Sequence, residues 1–99
     1  MGKGGYVYIM TNKNKTTLYI GVTSDLASGV LKHRQHFYPT SFTAKYHLTL
    51  CIYYEHFSSI EDAINRETQI KKWRREKKVQ LINKLNPEWN DLWNEISRW

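Results

Sequence analysis

Glu67 stands three residues from Ile64 and Ile70 and four from Ala63, so on a helix it shares the apolar stripe rather than the wet face. A carboxylate there needs a partner, because burying an unpaired charge costs on the order of several kcal/mol. Two readings stay open: a structural salt bridge, and a functional carboxylate at a cleft. Tyr8 and Tyr19 each sit in a run of β-branched and aromatic residues that could place a phenol in the core or at a cleft. His33 and His36 are three apart and could share a helix face. Two imidazoles without cysteines are a weak metal signal, and an exposed or capping role for His36 is the plain alternative.

Lys71, Lys72, Arg74, Arg75, Lys77 and Lys78 crowd one segment, with Glu76 the lone acid among them. Their spacing wraps more than one face of a helix, so either a solvated surface or contact with phosphate backbone accounts for them. The formal charge of +6 and a pI near 9.5 concentrate polyanions around the chain, which makes nucleic acid the first partner class and a membrane surface the second. No stretch approaches the roughly 18 apolar residues of a membrane span, and Met1-Gly2-Lys3-Gly4-Gly5 lacks the apolar core of a signal peptide. A cytoplasmic protein is expected.

Cys51 is alone, which excludes an intramolecular disulfide and a cysteine-based zinc site. In the run Leu50-Cys51-Ile52 it reads as a small buried hydrophobe. No Walker A sequence, GxGxxG or HExxH pattern occurs, which disfavours nucleotide-triphosphate and metalloprotease chemistry.

The elements that must position these residues follow from pattern. Tyr6–Met10 and Leu18–Val22 read as the strands of a hairpin joined by the polar turn 11–16, whose Asn residues tolerate turn geometry. Thr23 or Ser24 is the expected cap of a helix starting near Asp25, on which Leu26, Val30, His33 and Phe37 share a face. A loop at 38–41 and an irregular stretch at 42–48 precede a third strand at 49–54. Ser58 with Glu61 forms a capping-box pattern opening a long helix through about Leu85. Asn86-Pro87 then stops it and starts a last helix that docks through Trp89, Leu92, Trp93 and Ile96. At 99 residues, with no repeat or linker, one domain over residues 1–99 is expected.

Taken together, Tyr6-Val7-Tyr8, Leu18-Tyr19-Ile20-Gly21 with Thr23, Leu26 and His33, and Ala63-Ile64-Asn65-Arg66-Glu67 with Ile70-Lys71-Lys72-Trp73 resemble the GIY-YIG nuclease superfamily. The likeness is greatest to short stand-alone bacterial members related to the N-terminal nuclease domain of excinuclease C, a DNA-repair nuclease. It implies an α/β (α+β) fold with a three-stranded antiparallel sheet flanked by helices. It further implies an endonuclease that hydrolyses DNA phosphodiesters with one divalent metal, Mg2+ or Mn2+. Residue by residue, Glu67 matches the metal-binding carboxylate, Tyr8 and Tyr19 the two motif tyrosines that position or deprotonate water and contact phosphate, and His33 the motif histidine. Lys32, Lys71, Lys72, Arg74 and Arg75 are the expected nucleic-acid contacts.

One part departs from that family. Where the pattern places an arginine three residues after Leu26 to hold the scissile phosphate, this chain has Gly29. Loss of such a donor typically costs about 10²- to 10³-fold in rate. Lys32 and His33 share the face of Gly29, and Lys32 is the cation placed to substitute in part, while Arg34 points elsewhere. Tyr6 where the first motif often has glycine is a smaller departure. Two functions follow as expectations: an endonuclease with weakened activity, and a non-catalytic nucleic-acid-binding domain on the same scaffold. A protein-interaction patch built from Trp89, Trp93 and Trp99 is a third.

Overall fold

The computed structural model describes residues 4–99, so Met1–Lys3 of the expected leaderless start lie outside the described residues. Strand β1 (Gly5–Thr11) pairs antiparallel with β2 (Leu18–Thr23), as the two β-branched and aromatic runs about a polar turn predict. In the turn between them Asn12 works as an acceptor: its Oδ1 receives the backbone N–H groups of Thr16 and Thr17, at 2.8 and 3.2 Å. Lys15, not an asparagine, takes the left-handed conformation, at φ 60°.

Helix α1 (Leu26–Arg34) is capped by Asp25, whose carboxylate accepts from the Ser28 N–H at 3.1 Å. Thr23, an expected cap, instead closes a turn on the Asp25 backbone with its hydroxyl. The helix stops before Phe37, because His36 turns left-handed at φ 52°, and Phe37 is 56% exposed rather than on the core face. The stretch expected to be irregular contains a short helix, α2 (Phe42–Lys45), whose cap Ser41 accepts from the Ala44 N–H. Strand β3 (Leu50–Phe57) runs three residues past the expected end and completes the sheet in the order β2-β1-β3.

Alternation along β1 separates two cores. Val7 and Ile9 pack on one face with Ile20, Ile52, Ala63, Ile70 and Ile82; Tyr8 and Met10 pack on the other with Leu26, Val30, Leu48 and Ile96. A register shift between Ile9 and Met10 leaves Ile52 without a Cα partner, so Ile52 and Tyr53 share the first core.

Helix α3 (Ile60–Lys71) is capped by Ser59, which accepts from the Asp62 N–H, so the expected Ser58–Glu61 box is displaced by one residue. The expected long helix breaks at Lys72–Arg74, and α4 (Arg75–Leu85) begins after an extended Arg74. On one straight helix Ile82 would lie about 120° round from Ile70; the break returns both to the same core. Trp73, at the break, packs on that core beneath the cations of Arg66 and Lys77. Ile64, expected on the buried stripe, is 44% exposed.

The last helix is shorter than its pattern suggested. Only α5 (Trp93–Ile96) is helical, and Trp89 is left-handed at φ 55°. Trp89 packs on the first core, whereas Leu92, Trp93 and Ile96 pack on the second, so the segment crosses the sheet edge instead of docking by one face. In crossing it hydrogen-bonds to the outer edge of β3: Asn86 Nδ2 donates to the Ile52 carbonyl, Leu92 N–H to the Cys51 carbonyl, and Cys51 N–H to Asp91 Oδ1. Asp91 also pairs with Arg34 at 2.8 Å, tying α1 to that edge. No helix of the described residues is long and apolar enough to cross a membrane.

Asn86→Ala strips the donor from the Ile52 carbonyl inside the protein, so it is expected to lower stability by about 2 kcal/mol, within the usual cost of an unsatisfied buried group. A urea midpoint unchanged from the parent chain would contradict the edge-locking role.

Candidate functional site

Tyr8 leaves β1 on the second face, opposite Gly21 of β2 in the ladder. A Cβ on Gly21 would stand 2.5 Å from Tyr8 Cζ and 2.6 Å from its hydroxyl oxygen, so only glycine lets the phenol cross β2. The Tyr8 hydroxyl then reaches His33 Nε2 of α1 at 2.7 Å, and His33 Nδ1 reaches the Thr43 hydroxyl of α2 at 2.9 Å. Thr43 continues to Ser41 at 3.2 Å. Tyr19 closes the group, with its ring 5.4 Å from His33 edge-on and 6.4 Å from Tyr8.

Electrostatics set the proton positions. Burial pushes the Tyr8 phenol well above its ordinary value, and the charges of Tyr19, Cys51 and Glu67 add to the rise. Burial lowers His33, so its imidazole is neutral at pH 7. A protonated phenol beside a neutral imidazole fits O–H donation to Nε2, which leaves the Nδ1 proton for Thr43. Cys51, fully buried behind Tyr8, is pushed up to about 12 by burial and is no nucleophile, in keeping with its sequence reading.

Beside this network a cavity of about 430 Å3 opens, with Tyr19, Thr23, Gly29, Lys32, Tyr38 and Phe42 in its walls. Gly29 and Lys32 therefore border one space, as their helical spacing requires. Arg34 points away into its pair with Asp91. Glu67 is on α3, whose Ala63 and Ile70 pack on the first core, and is not part of the cavity wall. Its side chain is only 15% exposed and pairs with Lys71 at 3.0 Å, so the salt-bridge reading holds geometrically, while its charge is still felt at Tyr8. Among the described residues no three His, Cys, Asp or Glu side chains gather as a metal-binding group.

The expected nucleic-acid contacts are scattered. Lys32 lies at the cavity and Lys71 on Glu67. Arg75 donates to the Lys15 and Thr16 carbonyls of the hairpin turn, and Lys72 and Arg74 are exposed at the helix break. His36 meets His47 edge-on, with ring centroids 5.7 Å apart, away from His33. Thr43 and Ser41 were missed in sequence, although Ser41 three residues before Ala44 is an N-cap signal that would have marked the turn bringing Thr43 to His33.

A sequence model described as the GIY-YIG catalytic domain matches residues 4–86, a stretch holding every member of this network. The chain belongs to the GIY-YIG family. This is a nuclease-type family whose members generally use a divalent metal. The chain is 36% identical to a UPF0213 protein of Syntrophus aciditrophicus over 84% of its length and 93% of the relative. It is 31% identical to a UPF0213 protein of Staphylococcus saprophyticus over 79% of its length, again covering 93% of the relative. These are short stand-alone GIY-YIG proteins. No solved structure gives a significant match.

The buried, neutral His33 makes a pH prediction. Its folded value lies below the unfolded 6.5, so the unfolded chain binds the proton more readily and stability falls as pH drops below 6.5 toward the folded value. An NMR titration is expected to place the His33 midpoint below 6.5, with His33→Gln flattening the acid loss of stability. A His33 midpoint above 6.5 would mean that the imidazole is not held neutral.

Proposed function

We propose that the protein is a metal-dependent endonuclease that hydrolyses DNA phosphodiesters, with activity limited by Gly29. The observation that carries this is the hydrogen-bonded Tyr8–His33–Thr43 chain, whose three members line a cavity that Lys32 also borders. A water held by the Tyr8 oxygen loses its proton to that oxygen as the phenol proton passes to His33 Nε2, making His33 the net base. The water oxygen bonds to phosphorus, and the bond to the leaving oxygen breaks with its electron pair on that oxygen. In this reading Tyr19 and Lys32, which border the same cavity, contact the phosphate oxygens.

Glu67 would hold the metal. A single, mostly buried carboxylate suits a hard ion such as Mg2+ or Mn2+, which uses one or two carboxylates and takes its other oxygens from water and phosphate, and the ion would displace the half-exposed Lys71 ammonium from Glu67. Such an ion supplies charge neutralisation of the developing oxyanion. Lys72, Arg74 and Arg75 add a positive surface for the DNA backbone, and the expectation of cytoplasmic repair of damaged or branched DNA belongs to this same reading.

Gly29 favours one competing function, a DNA-binding domain that does not cut. A nicking assay on supercoiled DNA with Mg2+ or Mn2+ separates the two. The parent chain is expected to nick slowly, Glu67→Ala and His33→Ala to be inactive, and Gly29→Arg to gain about 10²- to 10³-fold, as a restored oxyanion donor should. Thr23 need yield only slightly, since a Cβ at Gly29 meets its side chain at 3.2 to 3.3 Å. Nicking by Gly29→Arg alone would establish the binding-only function for the natural chain. Nicking by Glu67→Ala equal to the parent would remove Glu67 from the site.

The surface cations carry a separate expectation. Replacing Lys72 and Arg74 by alanine should reduce the slope of log affinity against log salt by about 0.9 for each phosphate that is no longer neutralised. An unchanged slope would place the DNA elsewhere.

A further inference from the structure

The space beside Gly29 lies next to a set of exposed aromatic rings that the cleavage chemistry leaves unused. Phe37, Tyr38, Phe42 and Tyr46 fall within ten residues and are 56%, 57%, 47% and 45% exposed. Exposed rings in such density mark an interaction surface rather than a stray surface residue. They are ordered against one another: Phe37 meets Tyr38 and Phe42 meets Tyr46, each pair with centroids 4.8 Å apart. Phe42 also lies nearly parallel to Tyr19 of the candidate site, at 6.4 Å and 29°.

Charge selects the occupant. Lys32 stands over the Phe37 ring and Lys45 over the Tyr46 ring, each at 5.5 Å. No Asp or Glu occurs between Asp25 and Glu55, so the whole stretch that builds α1, the aromatic rings and α2 carries no negative side chain. Rings interleaved with cations suit a chain that offers flat faces and phosphates together. A neutral apolar peptide would not need the lysines, and a duplex keeps its base faces stacked away from them.

The cavity supplies the second half of the match. At about 430 Å3 it falls within the roughly 300 to 1,000 Å3 typical of small-molecule sites, with Tyr19, Tyr38 and Phe42 as flat walls and Thr23, Lys32 and Ser41 as polar ones. Gly29 lines it without a side chain, and a Cβ there would stand against Thr23, another wall residue. We infer that this cavity and its aromatic rim bind an unpaired nucleobase of the DNA substrate, so that the protein selects single-stranded or locally unpaired DNA over duplex. The inference rests on the nucleic-acid reading above and deepens it: residue 29 gives space for a base in place of a phosphate clamp.

The test is fluorescence anisotropy in EDTA, with a labelled single-stranded oligodeoxynucleotide and a blunt duplex of the same sequence. The parent chain is expected to bind the single strand at least tenfold more tightly. Phe42→Ala should weaken single-strand binding by about 5- to 150-fold, the usual effect of losing one stacking ring, and leave duplex binding within twofold. Gly29→Leu should abolish the preference by filling the cavity, whereas Phe42→Trp should preserve it. Circular dichroism of each variant separates loss of the surface from loss of the fold, and Phe42 is exposed enough that its removal leaves the cores intact.

Equal affinity for the two DNAs, or a preference untouched by both Phe42→Ala and Gly29→Leu, overturns the inference. Because binding is read without metal, it stands apart from cleavage. Selective binding by a chain that never nicks supports the base site while ending the nuclease proposal. Nicking of duplex without any single-strand preference does the reverse.

Discussion

The approach of Tyr8 to Gly21 is the constraint on which the rest of the site depends. The phenol occupies the volume that any side chain at position 21 would need, and only by crossing β2 there does it meet His33. Everything beyond follows in series. His33 is fixed by Tyr8 at Nε2 and by Thr43 at Nδ1, Thr43 is delivered by the Ser41-capped turn of α2, and α1 is anchored to the sheet edge through Arg34 and Asp91. One strand and two helices are therefore held to one hydrogen-bonded line, and burial keeps its members in the protonation states that let a proton move along it.

The two faces of the sheet divide the labour. The second face carries the phenol–imidazole line and the cavity, while α3 covers the first and holds Glu67. The Glu67 charge nevertheless reaches Tyr8 and helps to hold its phenol protonated. The bidentate pair between Arg66 and Glu55, at 3.0 Å on both arms, fixes the neighbouring residue of α3 and with it the rotation that sets Glu67.

The hairpin, the third strand and the helical faces of Leu26, Val30 and Ala63 were legible in sequence because period and residue type agree there. The family motifs, read residue by residue, pointed to Tyr8, Tyr19, His33 and Glu67 before any geometry existed. What escaped were features that depend on tertiary balance. Nothing in the run Lys71 to Lys78 says that Trp73 and Ile82 must both return to one core, so the break between α3 and α4 was invisible. The spacing of Trp89, Leu92, Trp93 and Ile96 fits a helix well, yet bonding to the free edge of β3 outweighs four residues of periodicity. Thr43 lies ten residues from His33, and only the left-handed turn at His36 brings the chain back to it.

The central claim is that the phenol–imidazole line is the working part of the molecule, and Gly21→Ala tests it most directly. The added methyl group touches neither DNA nor metal; it displaces Tyr8 from His33. In a Gly21→Ala chain that keeps its native circular dichroism, the His33 imidazole resonances are expected to change and metal-dependent nicking to disappear together. Full nicking by a folded Gly21→Ala chain whose His33 signals have shifted would contradict that claim.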